Sequence, residues 1–292
     1  MNRDLHFDYT TIGHVTIDVL DDGSRRAGGT AFFSALQAAR LGLRARILTR
    51  GVPEEVEALL APYRAELALT VLPAAHTTTL RTLGSGAERS QRVLAWAGPI
   101  LPEELPPLDT AILHLAPVAR ETFAFSHRGA PFVGLTPQGL VRVWDVPQGE
   151  IERSSPSGVV AEIANVIAEQ CDAIVVNEHE RTDCAGLIDA GRAAGANVAV
   201  TAGAGPIALL APGSELLTLD VPPLDRLVDD LGAGDVFAAA FFVALEEGRS
   251  PLDAAGFANA AAAVRMCGAG ADAIGGREDI QARLNGISGA GD

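Results

Sequence analysis

Leu227-Val228-Asp229-Asp230-Leu231-Gly232-Ala233-Gly234-Asp235-Val236-Phe237-Ala238-Ala239-Ala240-Phe241-Phe242 begins polar and ends as an apolar helix. Gly232 and Gly234 remove side chains where a backbone turn comes close to a ligand. Asp235 falls in the first turn of that helix, where backbone N–H groups lack intrahelical partners. Those donors and the positive end of the helix dipole form an anion site, so a phosphoryl group placed there lies beside a fixed carboxylate. The pairing suggests phosphoryl transfer to a hydroxyl: the donors stabilise charge on the moving group, and Asp235 accepts the hydroxyl proton. Because a helix N-terminus lowers a carboxylate's pKa, the sequence predicts a resting Asp235 that is a weak base. The same four residues fit a plain glycine turn with an acidic first-turn residue equally well. They recur at Gly289-Ala290-Gly291-Asp292, a segment read as a frayed tail.

Composition narrows the chemistry. The chain has 292 residues, enough for one large α/β domain or two small ones, and a formal charge of −15. That charge repels a nucleic-acid backbone and disfavours an anionic membrane surface. All 22 basic residues are arginine. Without lysine there is no P-loop lysine and no Schiff base, so a phosphate site must use backbone donors, arginine or metal. Cys171, Cys184 and Cys267 are odd in number and widely spaced, which fits reduced thiols in a cytoplasmic protein rather than a disulfide framework or a metal centre. No apolar run is long enough to span a bilayer.

Taken in order, Asp8–Asp18 reads as a first strand running into a loop, with Asp18 just past its carboxyl end. Ala27-Gly28-Gly29-Thr30 leads into a helix ending at Gly42; two glycines before a helix let a substrate approach its N-terminus. Arg44–Thr49 and Leu67–Leu72 are strands flanking a helix at Pro53–Leu60. Thr77–Leu83, the turn Gly84-Ser85-Gly86 and Arg89–Trp96 form a hairpin that breaks the strand–helix alternation, as an inserted lid would. Lids exclude water, which competes as a phosphoryl acceptor. Thr110–Leu115 and Pro131–Leu135 are buried strands separated by a short helix. A helix follows at Ser157–Gln170, capped by its serine. Asp172–Asn177 is a strand ending in the oxygen-rich cluster Asn177-Glu178-His179-Glu180, which suits magnesium or the capping of a following helix. Ala185–Ala194 is a helix, and Asn197–Thr201 and Pro206–Leu210 are strands around the glycine turn Gly203-Ala204-Gly205. Pro251–Cys267 is a long alanine-rich helix carrying Asn259. Alternation of this kind implies a doubly wound, mainly parallel sheet with helices on both faces, its ligands at the carboxyl ends of the strands.

With its flanks, Asp229–Phe242 resembles the carboxyl-terminal signature of the ribokinase-like (PfkB-type) carbohydrate kinases, commonly Asp-Thr-Thr-Gly-Ala-Gly-Asp before an apolar helix. Asp230 and Leu231 replace the two threonines. Gly28-Gly29, the alanine-rich helix and Arg40-Leu41-Gly42 resemble the family's amino-terminal signature. The resemblance implies a single ribokinase-like domain over residues 1–292, with β-lid segments at about 18–28 and 76–98. It implies an ATP- and Mg²⁺-dependent kinase acting on a sugar, polyol or nucleoside, and dimer contacts through the lid. Asp235 would be the base, with Gly232, Ala233 and Gly234 as the anion hole. Asp18, Gly28 and Gly29 would hold the acceptor, with Phe33 standing where a sugar-binding Asn is usual. Asn177 and Glu180 would serve the nucleotide phosphates and, through water, Mg²⁺. Thr201, Gly203, Gly205 and Asn259 would line the nucleotide, and Asp229, with the Gly268–Ala273 loop, would hold a potassium ion.

Phe33 and Leu231 also fit a non-catalytic sugar- or nucleotide-binding protein on the same fold. A dinucleotide-dependent oxidoreductase needs a Gly-x-Gly-x-x-Gly turn with an acid about 20 residues on, which Gly28-Gly29 does not supply.

Overall fold

The structure is a computed structural model that describes residues 7–84, 89–121, 130–146, 148–224 and 226–288. The short helix expected after Leu115, most of the turn at 84–86 and the tail at 289–292 lie wholly or largely outside them. In chain order the elements are β1 (Phe7–Ile12), β2 (Thr16–Val19), β3 (Arg25–Gly28), α1 (Thr30–Arg40), β4 (Ala45–Gly51), α2 (Pro53–Leu60), β5 (Leu67–Pro73), β6 (Thr79–Leu83) and β7 (Ser90–Ala95). There follow β8 (Thr110–Leu115), β9 (Phe132–Leu135), α3 (Gln138–Val141), β10 (Arg142–Val143), β11 (Gly149–Glu150), β12 (Glu152–Arg153) and α4 (Gly158–Ala168). The last third holds β13 (Ala173–Asn177), α5 (Ala185–Ala194), β14 (Asn197–Ala202), β15 (Gly205–Leu210), β16 (Leu217–Leu219), α6 (Ala233–Glu246), α7 (Pro251–Met266) and α8 (Arg277–Ser288).

Nine strands form the main sheet in the order β16-β15-β14-β13-β9-β8-β1-β4-β5. All neighbours are parallel except where β15 meets β14 and β16. The central parallel strands are mostly buried on both faces, as expected of strands covered twice. One core joins the sheet to α1, α2, α6 and α7, and the other packs it against α4 and α5. α6 is buried almost all round, from Val236 to Ala244. α7 meets it through a run of buried alanines, which lets the two helices lie close. The chain leaves β1 for β4 on one side and returns to β8 on the other, so the strand order reverses at β1/β8. In open α/β sheets that reversal opens a crevice at the strands' carboxyl ends.

The lid is a five-stranded sheet in the order β11-β7-β6-β2-β3. It is larger than the two expected segments, because Gly149–Glu150 pairs with β7 and completes its edge. Asp18 is therefore not in a loop beyond β1 but on β2, inside the lid sheet, opposite Arg26 of β3. Ser157 stands at the N-cap of α4, but its side chain makes no capping hydrogen bond.

Candidate active site

Asp18 is 3% exposed and accepts a hydrogen bond from the Thr16 hydroxyl at 2.7 Å. Gly28, on the neighbouring strand, makes room for it: a Cβ there would meet the carboxylate at 2.1 Å. Burial raises the Asp18 pKa to about 6, against the Thr16 hydrogen bond and the charges of Arg142, Arg89 and Arg26, which lower it. Gly29 then caps α1.

Gly232 is the N-cap of α6, with φ at 82° in the left-handed region, where other residues are strained. A Cβ there would lie 2.6 Å from the Phe33 ring. Phe33 is 3% exposed and packs against the turn from the core side. Gly234 is the opposite case: nothing lies within 4 Å of its hypothetical Cβ, and the turn is open above it.

Asp235 occupies the first turn of α6. The Ser34 hydroxyl donates to its carbonyl at 3.0 Å, fixing α6 against α1. Thr30 hydrogen-bonds its carboxylate and also takes the Gln138 amide at 3.4 Å. The expected depression of its pKa does not occur. Burial pushes Asp235 up to about 6, the carboxylates of Glu180 and Asp18 push the same way, and Thr30 and Arg142 only partly oppose them. Loss of solvent, seconded by acids distant in sequence, sets the direction of the shift.

The charge of Arg142 lowers the pKa values of Asp18, Glu180 and Asp235 alike, so the lid, the end of β13 and the start of α6 each bring an acid within its influence. The Arg142 guanidinium feels Glu180, Asp235, Glu121 and Asp18. It is held by hydrogen bonds to the Val118 carbonyl at 2.8 Å and the Gln91 side chain at 2.7 Å. Nothing in the sequence pattern singled out Arg142 beyond the absence of lysine, which leaves arginine as the only strong side-chain cation. Glu121 was also missed. It is fully buried and accepts the backbone N–H groups of His14, Val118 and Ala119 at 2.9, 2.7 and 2.6 Å, tying the loop after β1 to the loop after β8.

Asn177 ends β13 and accepts the His179 N–H at 2.9 Å. Burial raises the Glu180 pKa, against the lowering charge of Arg142. Thr201 lies opposite Asn177 in the parallel ladder, and Gly203 and Gly205 turn the chain from β14 into β15. Asn259 is half-buried on α7. Asp229 meets protein donors on every side: its carboxylate accepts from Arg265 at 3.0 Å, Gly270 N–H at 3.0 Å, Arg26 at 3.3 Å and Leu231 N–H at 3.0 Å. Arg89 of the lid pairs with Asp230 next door. Two lid arginines thus grip the segment that leads into the glycine turn.

The pfkB family carbohydrate kinase profile matches residues 151–274, the part that supplies Glu180 and the α6 turn. Residues 151–274 are thus similar to the pfkB carbohydrate kinases, and the chain has the ribokinase-like fold. Among solved structures, a pyrophosphate-dependent myo-inositol-1 kinase aligns at TM-score 0.76 with 20% identity, over 95% of this chain and 99% of that one. The nucleoside kinase of Methanocaldococcus jannaschii aligns at TM-score 0.72 with 18% identity, covering 96% and 98%. Arabidopsis thaliana ribokinase, complexed with ribose and ATP, aligns at TM-score 0.70 with 20% identity, covering 96% and 99%. At these identities the likeness is one of fold. A search of curated protein sequences gives no significant match. Among the described residues no helix is long and apolar enough to cross a membrane.

Proposed function

We propose that the protein transfers the terminal phosphoryl group of ATP to a hydroxyl of a small sugar, polyol or nucleoside. One observation supports the reading: Arg142 acts on Asp18, Glu180 and Asp235, and the turn that carries Asp235 is open at Gly234.

In this mechanism Asp18 and the Gly28-Gly29 backbone hold acceptor hydroxyls, since a carboxylate accepts two such hydrogen bonds. The Gly232, Ala233 and Gly234 N–H groups receive the phosphoryl oxygens as charge develops on them. Asp235 takes the hydroxyl proton, and its raised pKa makes it a better base than a first-turn acid would otherwise be. Arg142 balances the negative charge that collects as donor and acceptor meet. Asn177, Thr201, Gly203, Gly205 and Asn259 line the donor side. The lid, gripped at Asp229 and Asp230, keeps water out. Two copies would meet through the lid sheet.

The donor set suits magnesium: Asn177 and Glu180 put hard oxygen donors at the end of β13 and just beyond it, and Glu180 would act through water. When bound, Mg²⁺ would neutralise donor phosphate charge. Potassium does not fit as well, because Asp229 already faces a guanidinium.

Pyrophosphate is a second candidate donor, since the inositol kinase that aligns at TM-score 0.76 uses it. The test is turnover with ATP or pyrophosphate and Mg²⁺ against ribose, myo-inositol, other polyols and nucleosides. A phosphorylated acceptor supports the proposal. Tight acceptor binding with no phosphorylated product from either donor would favour the non-catalytic binding protein instead.

A further inference from the structure

Arg265 sits in the last turn of α7 and is fully buried. A guanidinium there loses its water and needs oxygen acceptors in return. It finds four. One terminal nitrogen donates to the carbonyls of Asp229 at 3.2 Å and Gly268 at 3.1 Å. The other donates to the Asp229 carboxylate at 3.0 Å and the Leu231 carbonyl at 2.6 Å. Its Nε has no partner, so the side chain commits itself entirely through its two ends.

The surrounding bonds converge on the same place. Val228 N–H donates to the Met266 carbonyl at 2.9 Å, and Gly270 N–H to the Asp229 carboxylate at 3.0 Å. The segment 228–231 is thereby stitched to the end of α7 and the turn after it. It runs directly into Gly232, whose backbone opens α6. Three carbonyls and one carboxylate around a single positive charge form an oxygen shell of the kind a monovalent cation takes. Here that charge is supplied by the chain itself. The guanidinium is covalently part of the chain and does not exchange with solvent ions, so this tether does not need a particular salt.

We infer that Arg265 is a built-in replacement for a monovalent cation: a positioning residue that fixes the Asp229–Leu231 segment and so aims the N–H groups of Gly232–Gly234. Its catalytic part rests on the phosphoryl-transfer reading; its structural part does not. The prediction is a kinase that potassium neither stabilises nor activates.

Melting is measured in KCl, NaCl and choline chloride at equal ionic strength, an arm that needs no turnover. A cation bound at about 100-fold over its dissociation constant would raise the midpoint by several degrees. The inference expects equal midpoints, and a potassium-specific rise in the wild-type protein overturns it. Turnover is then followed in the same salts with the acceptor and donor found active. Arg265→Ala should lower kcat by about tenfold or more with KM little changed. Potassium should restore part of both kcat and the melting point, and choline should restore neither. A merely structural arginine would not show that selectivity. Arg265→Lys, which keeps a charge, takes its place if the alanine variant does not fold, and is expected to retain more activity than stability. Unchanged kcat in a folded variant, or equal recovery in all three salts, overturns the inference. Failure of every acceptor would count against the kinase reading alone and leave the melting arm standing.

Discussion

Replacing Asp235 with Asn separates stability from activity in a way few surface changes would. Burial and the neighbouring carboxylates hold Asp235 at about 6 instead of 3.8. Ionising it in the folded chain at neutral pH therefore costs up to about 3 kcal/mol relative to the unfolded chain. The amide is uncharged and nearly the same shape, and keeps a partner in Thr30. Allowing for an imperfect hydrogen bond, Asp235→Asn should be more stable by about 1–3 kcal/mol, a rise of several degrees in melting point. The sign follows from proton binding. A carboxyl whose folded pKa exceeds its unfolded pKa favours folding fully below the unfolded value and loses that contribution as pH rises through the folded one. The variant's advantage should therefore be absent near pH 4, open between about 4 and 6, and level off above. Denaturant melts in metal-free buffer across that range, together with turnover at saturating substrates, provide the assay. Turnover should fall by about two to four orders of magnitude. A variant no more stable than wild type at neutral pH, or an advantage independent of pH, would refute the crowded-crevice reasoning.

Other outcomes follow from the same geometry. Gly232→Ala forces a side chain into a left-handed φ and against Phe33, and should destabilise by about 2 kcal/mol or more in a chemical melt. Gly234→Ala meets no atom within 4 Å, so its melting point should barely move while turnover drops. Gly28→Ala drives a methyl into the Asp18 carboxylate, and steady-state kinetics should show acceptor KM rising more than donor KM. In wild type, kcat/KM should climb about tenfold per pH unit below about 6 and flatten above, as Asp235 ionises. Arg142 lowers the pKa values of Asp18 and Asp235, so Arg142→Met should shift that acidic limb upward; an unmoved limb would remove Arg142 from the crevice.

Much of the fold was legible because its signals are local. The buried runs at Thr110–Leu115 and Asp172–Asn177 and the glycine-opened helix at Gly232 each read from their own neighbours, and the described strands and helices lie there within a few residues. The lid hairpin announced itself by breaking the alternation. What failed to show depended on distance in sequence. Asp18 reads as the end of β1, yet the chain turns at Gly13–Val15 and starts a second sheet. The third lid segment at Gly149–Glu150 is too short to carry a pattern. The pKa shift of Asp235 runs against the local signal because a helix N-terminus is visible in the sequence, whereas the burial that raises it, and the acids Asp18 and Glu180 that add to it from 217 and 55 residues away, are set by the tertiary fold. Phe33 is ambiguous as a letter and becomes a core residue only once Gly232 is seen above it. Arg265 left one faint signal, a lone charge in the otherwise apolar Ala260-Ala261-Ala262-Ala263-Val264-Arg265-Met266; its partners lie in turns without periodicity.

The central claim is that a single crevice brings an acceptor hydroxyl, held at Asp18, against a phosphoryl group at the start of α6. Phosphorus NMR of the purified protein with Mg²⁺, ATP or pyrophosphate, and the acceptor panel reads this directly. The account predicts a new phosphomonoester resonance with at least one acceptor, lost in Asp235→Asn and strongly reduced in Asp18→Asn. A phosphomonoester formed at an undiminished rate by either variant would contradict it.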